Sequence, residues 1–211
     1  MTDHATPAPK PPKPRLLQDG RDMFWSLAPL VVVCIVLAGL VGMCSFSPSG
    51  PVDGTAPTYD AATALQADAG AVPFGVRLPR LPEGWQANSG TRTGIEAGRT
   101  DPATGAKQIA VSSRVGYIAP SKMYVSLTQS NADETTLVQS IQKSVYPSGV
   151  EDIAGVRWIV YQGGEGSEPV WTTRLNSPAG PTQVAISGAG SADDFRTLAL
   201  ATQSQPPLSR G

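Results

Sequence analysis

The chain has 211 residues, a formal charge of −1 at neutral pH and a pI near 5.8. After a tail, an apolar run and a linker are set aside, about 140 residues remain, enough for one ordinary domain. So even a charge balance supplies no concentrated basic surface and argues against a nucleic-acid partner, while Gly 22 and Pro 20 predict frequent turns.

Residues 1–22 interleave Pro7, Pro9, Pro11, Pro12 and Pro14 with Lys10 and Lys13. Such a segment has little apolar surface to bury and reads as an extended, disordered cytoplasmic tail. The sequence then runs without a charge from Met23 to Phe46. At about 1.5 Å per residue that run exceeds the roughly 30 Å hydrocarbon core of a bilayer, which predicts a single transmembrane helix. Pro29 falls in its first turns, where a missing donor costs little, and Trp25 sits where aromatic rings prefer the headgroup layer.

Lys10, Lys13, Arg15 and Arg21 precede the run, and the next basic residue is Arg77. The positive-inside rule therefore places the N-terminus in the cytoplasm and the C-terminal domain outside it, in a single-pass cell-membrane protein. A cleaved signal peptide is the rival reading, but its apolar stretch would be only about 7–15 residues. Both cysteines, Cys34 and Cys44, lie within the run, so the domain that follows must be held by its core rather than by disulfides. Met43 before Cys44 does not suit lipoprotein processing, and the Ala38/Gly42 pair suggests at most weak self-association between spans.

Residues 47–71 read as a Ser/Pro/Gly linker with a short Ala-rich helix near 59–69. The extracytoplasmic domain is expected over 72–204, with a disordered tail at 205–211. Alternating apolar and polar residues predict a hairpin from strands at 109–118 and 123–128. Ser130 with Asp133, or Asn131 with Glu134, then offers a capping box for a helix at 133–145 with the stripe Leu137, Val138, Ile141 and Val145. Strands at 156–162, 170–176 and 182–187 form a meander, and Ser191 with Asp194 caps a last helix carrying Phe195, Leu198, Ala199 and Thr202.

The predicted class is α+β, with an antiparallel sheet of five to seven strands and two main helices on one face. Alignment of 120–141 with 178–200, matching Val125 and Leu127 to Val184 and Ile186, suggests an internal ββα repeat.

The single histidine, His4, lies in the N-terminal tail, so the domain has neither imidazole nor thiol. Ser-His-Asp and Cys-His sites and the usual zinc sites are excluded from it, and no glycine-rich phosphate loop of standard spacing occurs. A carboxylate pair or Ser-Lys dyad would have to come from residues such as Glu83, Glu96, Asp101, Asp133, Glu151, Asp152 and Asp193 or Lys107, Lys122 and Lys143, whose contexts favour structural or solvated roles. No catalytic residue, metal or cofactor is therefore expected. Trp85, Trp158, Trp171 and Tyr117 are the candidate ligand or partner contacts, with core packing as the alternative for the strand tryptophans.

These residues support a membrane-tethered binding or envelope-assembly role with an envelope protein or lipid as partner; the alternatives are lipid binding or a carboxylate-dependent envelope hydrolase. Leu81-Pro82-Glu83-Gly84-Trp85, Val115-Gly116-Tyr117 with Pro120, Tyr124-Val125, Gln129-Ser130 and Ile186-Ser187-Gly188 resemble an uncharacterised actinobacterial family, the membrane-anchored domain of unknown function 4245. The resemblance covers most of 15–203. It implies the same order of basic tail, membrane helix and exported domain, and carries no activity.

Overall fold

The computed structural model describes residues 20–40, 57–100, 105 and 107–210. The chain divides into two compact units, Met1–Gly54 and Thr55–Gly211.

In the first unit, α1 (Gly20–Leu40) contains Pro29, with Phe24, Trp25, Leu30, Val32, Ile35 and Val36 among its exposed apolar side chains. Among the described residues no helix is long and apolar enough to cross a membrane. The expected span coincides with α1 over 23–40, and its remainder, 41–46, lies outside the described residues. The expected N-terminal tail, apart from 20–22, also lies outside them.

The second unit opens with α2 (Ala61–Ala71), capped by the Asp60 carboxylate, which accepts from the Thr63 N–H at 3.0 Å. The strands follow as β1 (Gln86–Thr100), β2 (Lys107–Ile118) and β3 (Tyr124–Ser130), then α3 (Glu134–Ile141). They continue as β4 (Val145–Ile153), β5 (Val156–Gly163), β6 (Val170–Leu175) and β7 (Thr182–Gly188), and the unit closes with α4 (Ala192–Gln203). All seven strands form one antiparallel sheet in the order β1-β2-β3-β7-β6-β5-β4. The expected hairpin is β2–β3 and the expected meander is β5–β6–β7.

Side-chain alternation gives the sheet two different faces. One face carries Val115, Tyr117, Val125, Leu127, Trp158, Trp171, Val184 and Ile186, and packs on Leu65 of α2 and on Phe195 and Leu198 of α4. The other carries Ala110, Tyr161, Val170 and Ala185 and packs on Leu137 and Val138 of α3. Ala185 and Ile186 are consecutive in β7, so α3 and α4 lie on opposite faces.

The expectation of both main helices on one face is thus corrected, and the internal repeat fails with it. At the centre of the sheet β3 and β7 run antiparallel. The order β2-β3-β7-β6 relates the two hairpins by a two-fold axis normal to the sheet, which keeps the face, so a true repeat would carry α3 and α4 on one face and these lie on opposite ones.

The boundaries also shift. The α2 helix is core rather than linker, because Leu65 and Ala69 are buried in the main cluster. Asp68 holds it to the sheet, accepting from Ser113 Oγ and, at 3.0 Å, from Arg92 Nη1. The compact unit therefore begins at Thr55 rather than at 72.

The C-terminal segment, expected to be disordered from 205, is docked. Leu208 N–H donates to the Val76 carbonyl at 2.8 Å, Gln66 Nε2 to the Ser209 carbonyl at 2.8 Å, and Arg210 Nη2 to the Val72 carbonyl at 2.9 Å. Helix α3 stops at Ile141 rather than 145, because Gln142 is already extended and Val145 opens the edge strand β4.

Candidate functional site

The helix α3 has eight residues, a length of about 12 Å, too short to cover the sheet face it packs on. Its apolar contacts lie toward Ala110, Tyr161, Val170 and Ala185. Another part of this face presents polar rows across β1, β2 and β3: Thr91 opposite Arg114 opposite Thr128, and Ser89 opposite Gly116 opposite Ser126. Period-2 alternation makes this the reverse side of the strands whose Val115, Tyr117, Val125 and Leu127 build the core.

A groove of about 300 Å³ lies between this part of the sheet and α3, lined by Thr91, Thr93, Ser112, Arg114, Thr128 and, from the helix, Ser140 and Ile141. On the other side of Arg114 a second lobe of about 280 Å³ is lined by Ser89, Gly116 and Tyr124. A Cβ at Gly116 would collide with the Tyr124 and Ser89 hydroxyls, so glycine keeps this lobe open. Among the described residues Arg114 is the one charged residue lining either lobe.

Hydrogen bonds orient much of the lining. Arg114 Nη2 donates to Ser126 Oγ at 2.9 Å, and Ser126 Oγ in turn donates to the Ser187 carbonyl at 3.1 Å. Thr93 Oγ1 and Ser112 Oγ are 3.1 Å apart. Among the lining residues two polar atoms, Arg114 Nε and Thr128 Oγ1, are buried with no hydrogen-bond partner, as are Arg77 Nη1 and the Tyr117 hydroxyl elsewhere. Thr128 is 3% exposed, so its hydroxyl carries a desolvation cost that a partner in the groove would offset.

The sequence-predicted contacts lie elsewhere. Trp158, Trp171 and Tyr117 are buried on the face opposite the groove and present no ring to a surface ligand. Trp158 Nε1 donates to Gln203 Oε1 at 2.8 Å, while Trp171 packs 5.3 Å from the Phe195 ring, with Arg196 at 5.9 Å from its ring centre. Tyr117 meets the half-buried Trp85 edge to face at 6.5 Å, and burial pushes its phenol well above the usual range. The core reading of the strand tryptophans is therefore the one realised.

The acids are also dispersed. Asp133 caps α3 and Asp194 completes the α4 capping box, Glu151 and Asp193 hold Arg196, and Asp152 accepts from the Gly155 N–H. Burial works against ionisation of Asp194, but hydrogen bonds from Ser191 and Ser121 outweigh it and hold its carboxyl below the usual value. Among the described residues no three His, Cys, Asp or Glu side chains converge as a metal site. Asp101 lies outside the described residues.

The groove went unread because Ser112, Arg114, Ser126 and Thr128 look like the solvated side of an amphipathic hairpin. The available signal was that β3 is central, which buries both of its faces.

No curated protein and no solved structure matches the chain. The family model described as a protein of unknown function (DUF4245) matches residues 15–202, most of the chain, and the chain belongs to that family.

Proposed function

We propose that the chain is a membrane-tethered, extracytoplasmic, non-catalytic binding domain whose ligand seat is the Ser/Thr groove around Arg114. The observation that carries this reading is the groove itself: a concave, hydroxyl-lined strip on an otherwise well-packed sheet, with Arg114 at its centre and the Thr128 hydroxyl unpartnered. The tether is supported by the uncharged run from Met23 to Phe46 and by the Lys/Arg asymmetry around it. A helix apolar on all sides, as α1 is in its described side chains, also suits lipid surroundings.

A carboxylate-dependent hydrolase gains no support from the groove, because among the described residues no Asp or Glu lines either lobe. A binder of acyl chains would need a deeper apolar cavity than this polar strip offers.

Native mass spectrometry of the full chain extracted from its membranes tests the reading. The wild type should retain a discrete small-molecule adduct. Ser140→Trp, which fills the groove from α3, should lose it, and Leu200→Trp, on exposed α4, should keep it. No adduct, or one indifferent to Ser140→Trp, refutes the groove as the seat.

A further inference from the structure

We propose that the groove selects a phosphate-class oxyanion, a phosphate monoester held by the Arg114 guanidinium and the Thr128 hydroxyl; this rests on the groove being the ligand seat. The two residues face each other across the β2–β3 pair, and each has a buried polar atom without a partner. Arg114 Nε–H and Thr128 Oγ–H are both donors with almost no accessible surface, so one acceptor-rich anion satisfies both once the two side chains turn slightly toward the groove. Leaving them unmet costs free energy, whereas a charge-assisted bond to a phosphate oxygen is among the stronger polar contacts.

The other lining groups fit this ligand. Thr91 and Thr93 add neutral hydroxyls, and among the described residues no carboxylate lines the groove to repel an anion or neutralise the guanidinium. Arg114 Nη2 is already tied to Ser126, whose own proton is committed to the Ser187 carbonyl. That fixes the guanidinium before binding, so little side-chain entropy is lost when the anion arrives. The lobes on either side of Arg114 give the ester substituent room to extend along the sheet.

The same headgroup chemistry occurs in soluble phosphate esters and in anionic phospholipids, and the test separates them. The full chain in an uncharged detergent is titrated calorimetrically with orthophosphate and with glycerol 3-phosphate, against chloride at equal ionic strength. The titration is then repeated in the presence of vesicles with and without phosphatidylglycerol. Saturable binding of the esters is expected. Competition by the phosphatidylglycerol vesicles alone identifies the lipid headgroup as the source, and its absence identifies a soluble ester.

Thr128→Val, which keeps the shape and removes the donor, should weaken binding about tenfold or more while leaving the unfolding midpoint unchanged or raised. Arg114→Gln should abolish binding. The proposal is overturned if the wild type shows no saturable binding above chloride. It is equally overturned if Thr128→Val leaves binding unchanged, and a lowered midpoint beside that result would make water the partner of the hydroxyl. An adduct that is sensitive to Ser140→Trp but indifferent to phosphate would sink the oxyanion alone and spare the groove.

Discussion

Replacing Leu65 by alanine tests whether α2 belongs to the domain core or is only a linker that precedes it. Leu65 is 1% exposed and lies in the main cluster with Val115, Leu127 and Phe195. Alanine is the better helix former, so any loss reports packing rather than helix propensity. Removing three buried carbons forfeits about 2.4 kcal/mol of transfer free energy at roughly 0.8 per group, and the residual cavity brings the expected cost to about 3–4 kcal/mol. For a unit of about 150 residues this lowers the melting temperature by roughly 6–16 °C. Thermal and urea unfolding of the full chain, followed through tryptophan fluorescence, measures it, since Trp158 and Trp171 are buried. The exposed Thr63→Ala on the same helix serves as control and should shift stability by less than about 0.5 kcal/mol. If Leu65→Ala behaves like Thr63→Ala, α2 is not part of the core and the domain begins later than Thr55.

Gln129, fully buried, accepts from the Arg77 N–H at 2.8 Å and donates to the Arg77 carbonyl at 2.9 Å. Gln129→Leu should cost about 2–5 kcal/mol in urea unfolding by stranding both backbone groups, and a neutral result would show that they find other partners. The Tyr161 phenol is pushed up to about 12, first by burial and then by its 2.6 Å bond to Glu134. Its unfolded value is about 10, so the stability it contributes is complete below pH 10 and is lost as pH rises through 12. Tyr161→Phe should flatten the decline of stability between those pH values, and an unchanged slope would contradict the assignment. Asp194→Ala removes the α4 capping box and the 2.9 Å bond from Ser121. It should cost about 1–2 kcal/mol near neutral pH in thermal unfolding, with the difference from wild type shrinking as acid protonates the wild-type carboxyl.

The parts of the fold legible in the sequence were those where one residue pattern answers to one physical constraint. The strands β5, β6 and β7 are short apolar runs bounded by Gly- and Pro-bearing loops, and Ser191 with Asp194 forms the cap that its spacing implies. The edge strands were not legible. In β1, Gln86–Thr100, glycines and threonines replace an alternating apolar face, and β4 is largely exposed, with Pro147 beside a register shift. As edges they bury little, so pairing rather than hydrophobicity defines them.

The amphipathic stripe of α3 showed that Leu137 and Val138 are buried but carried no information about which sheet face they meet. The candidate site was hidden for the same reason. Ser112, Arg114 and Thr128 form a groove only because α3 lies on their face and leaves part of it open. The tryptophans drew attention by their size, yet that size suits Trp158 and Trp171 to the core.

The proposed extracytoplasmic location of the groove-bearing domain is tested most directly by site-specific labelling at the groove rim. In a chain carrying Cys34→Ser and Cys44→Ser, Ser140→Cys puts the sole thiol on exposed α3 at the edge of the groove, and Ser204→Cys puts it just beyond α4. Both should react with a membrane-impermeant thiol reagent in intact cells, with reagent access to the outer membrane face verified on a known outward-facing thiol. Labelling of both sites only after lysis would place the groove on the cytoplasmic side and contradict the account.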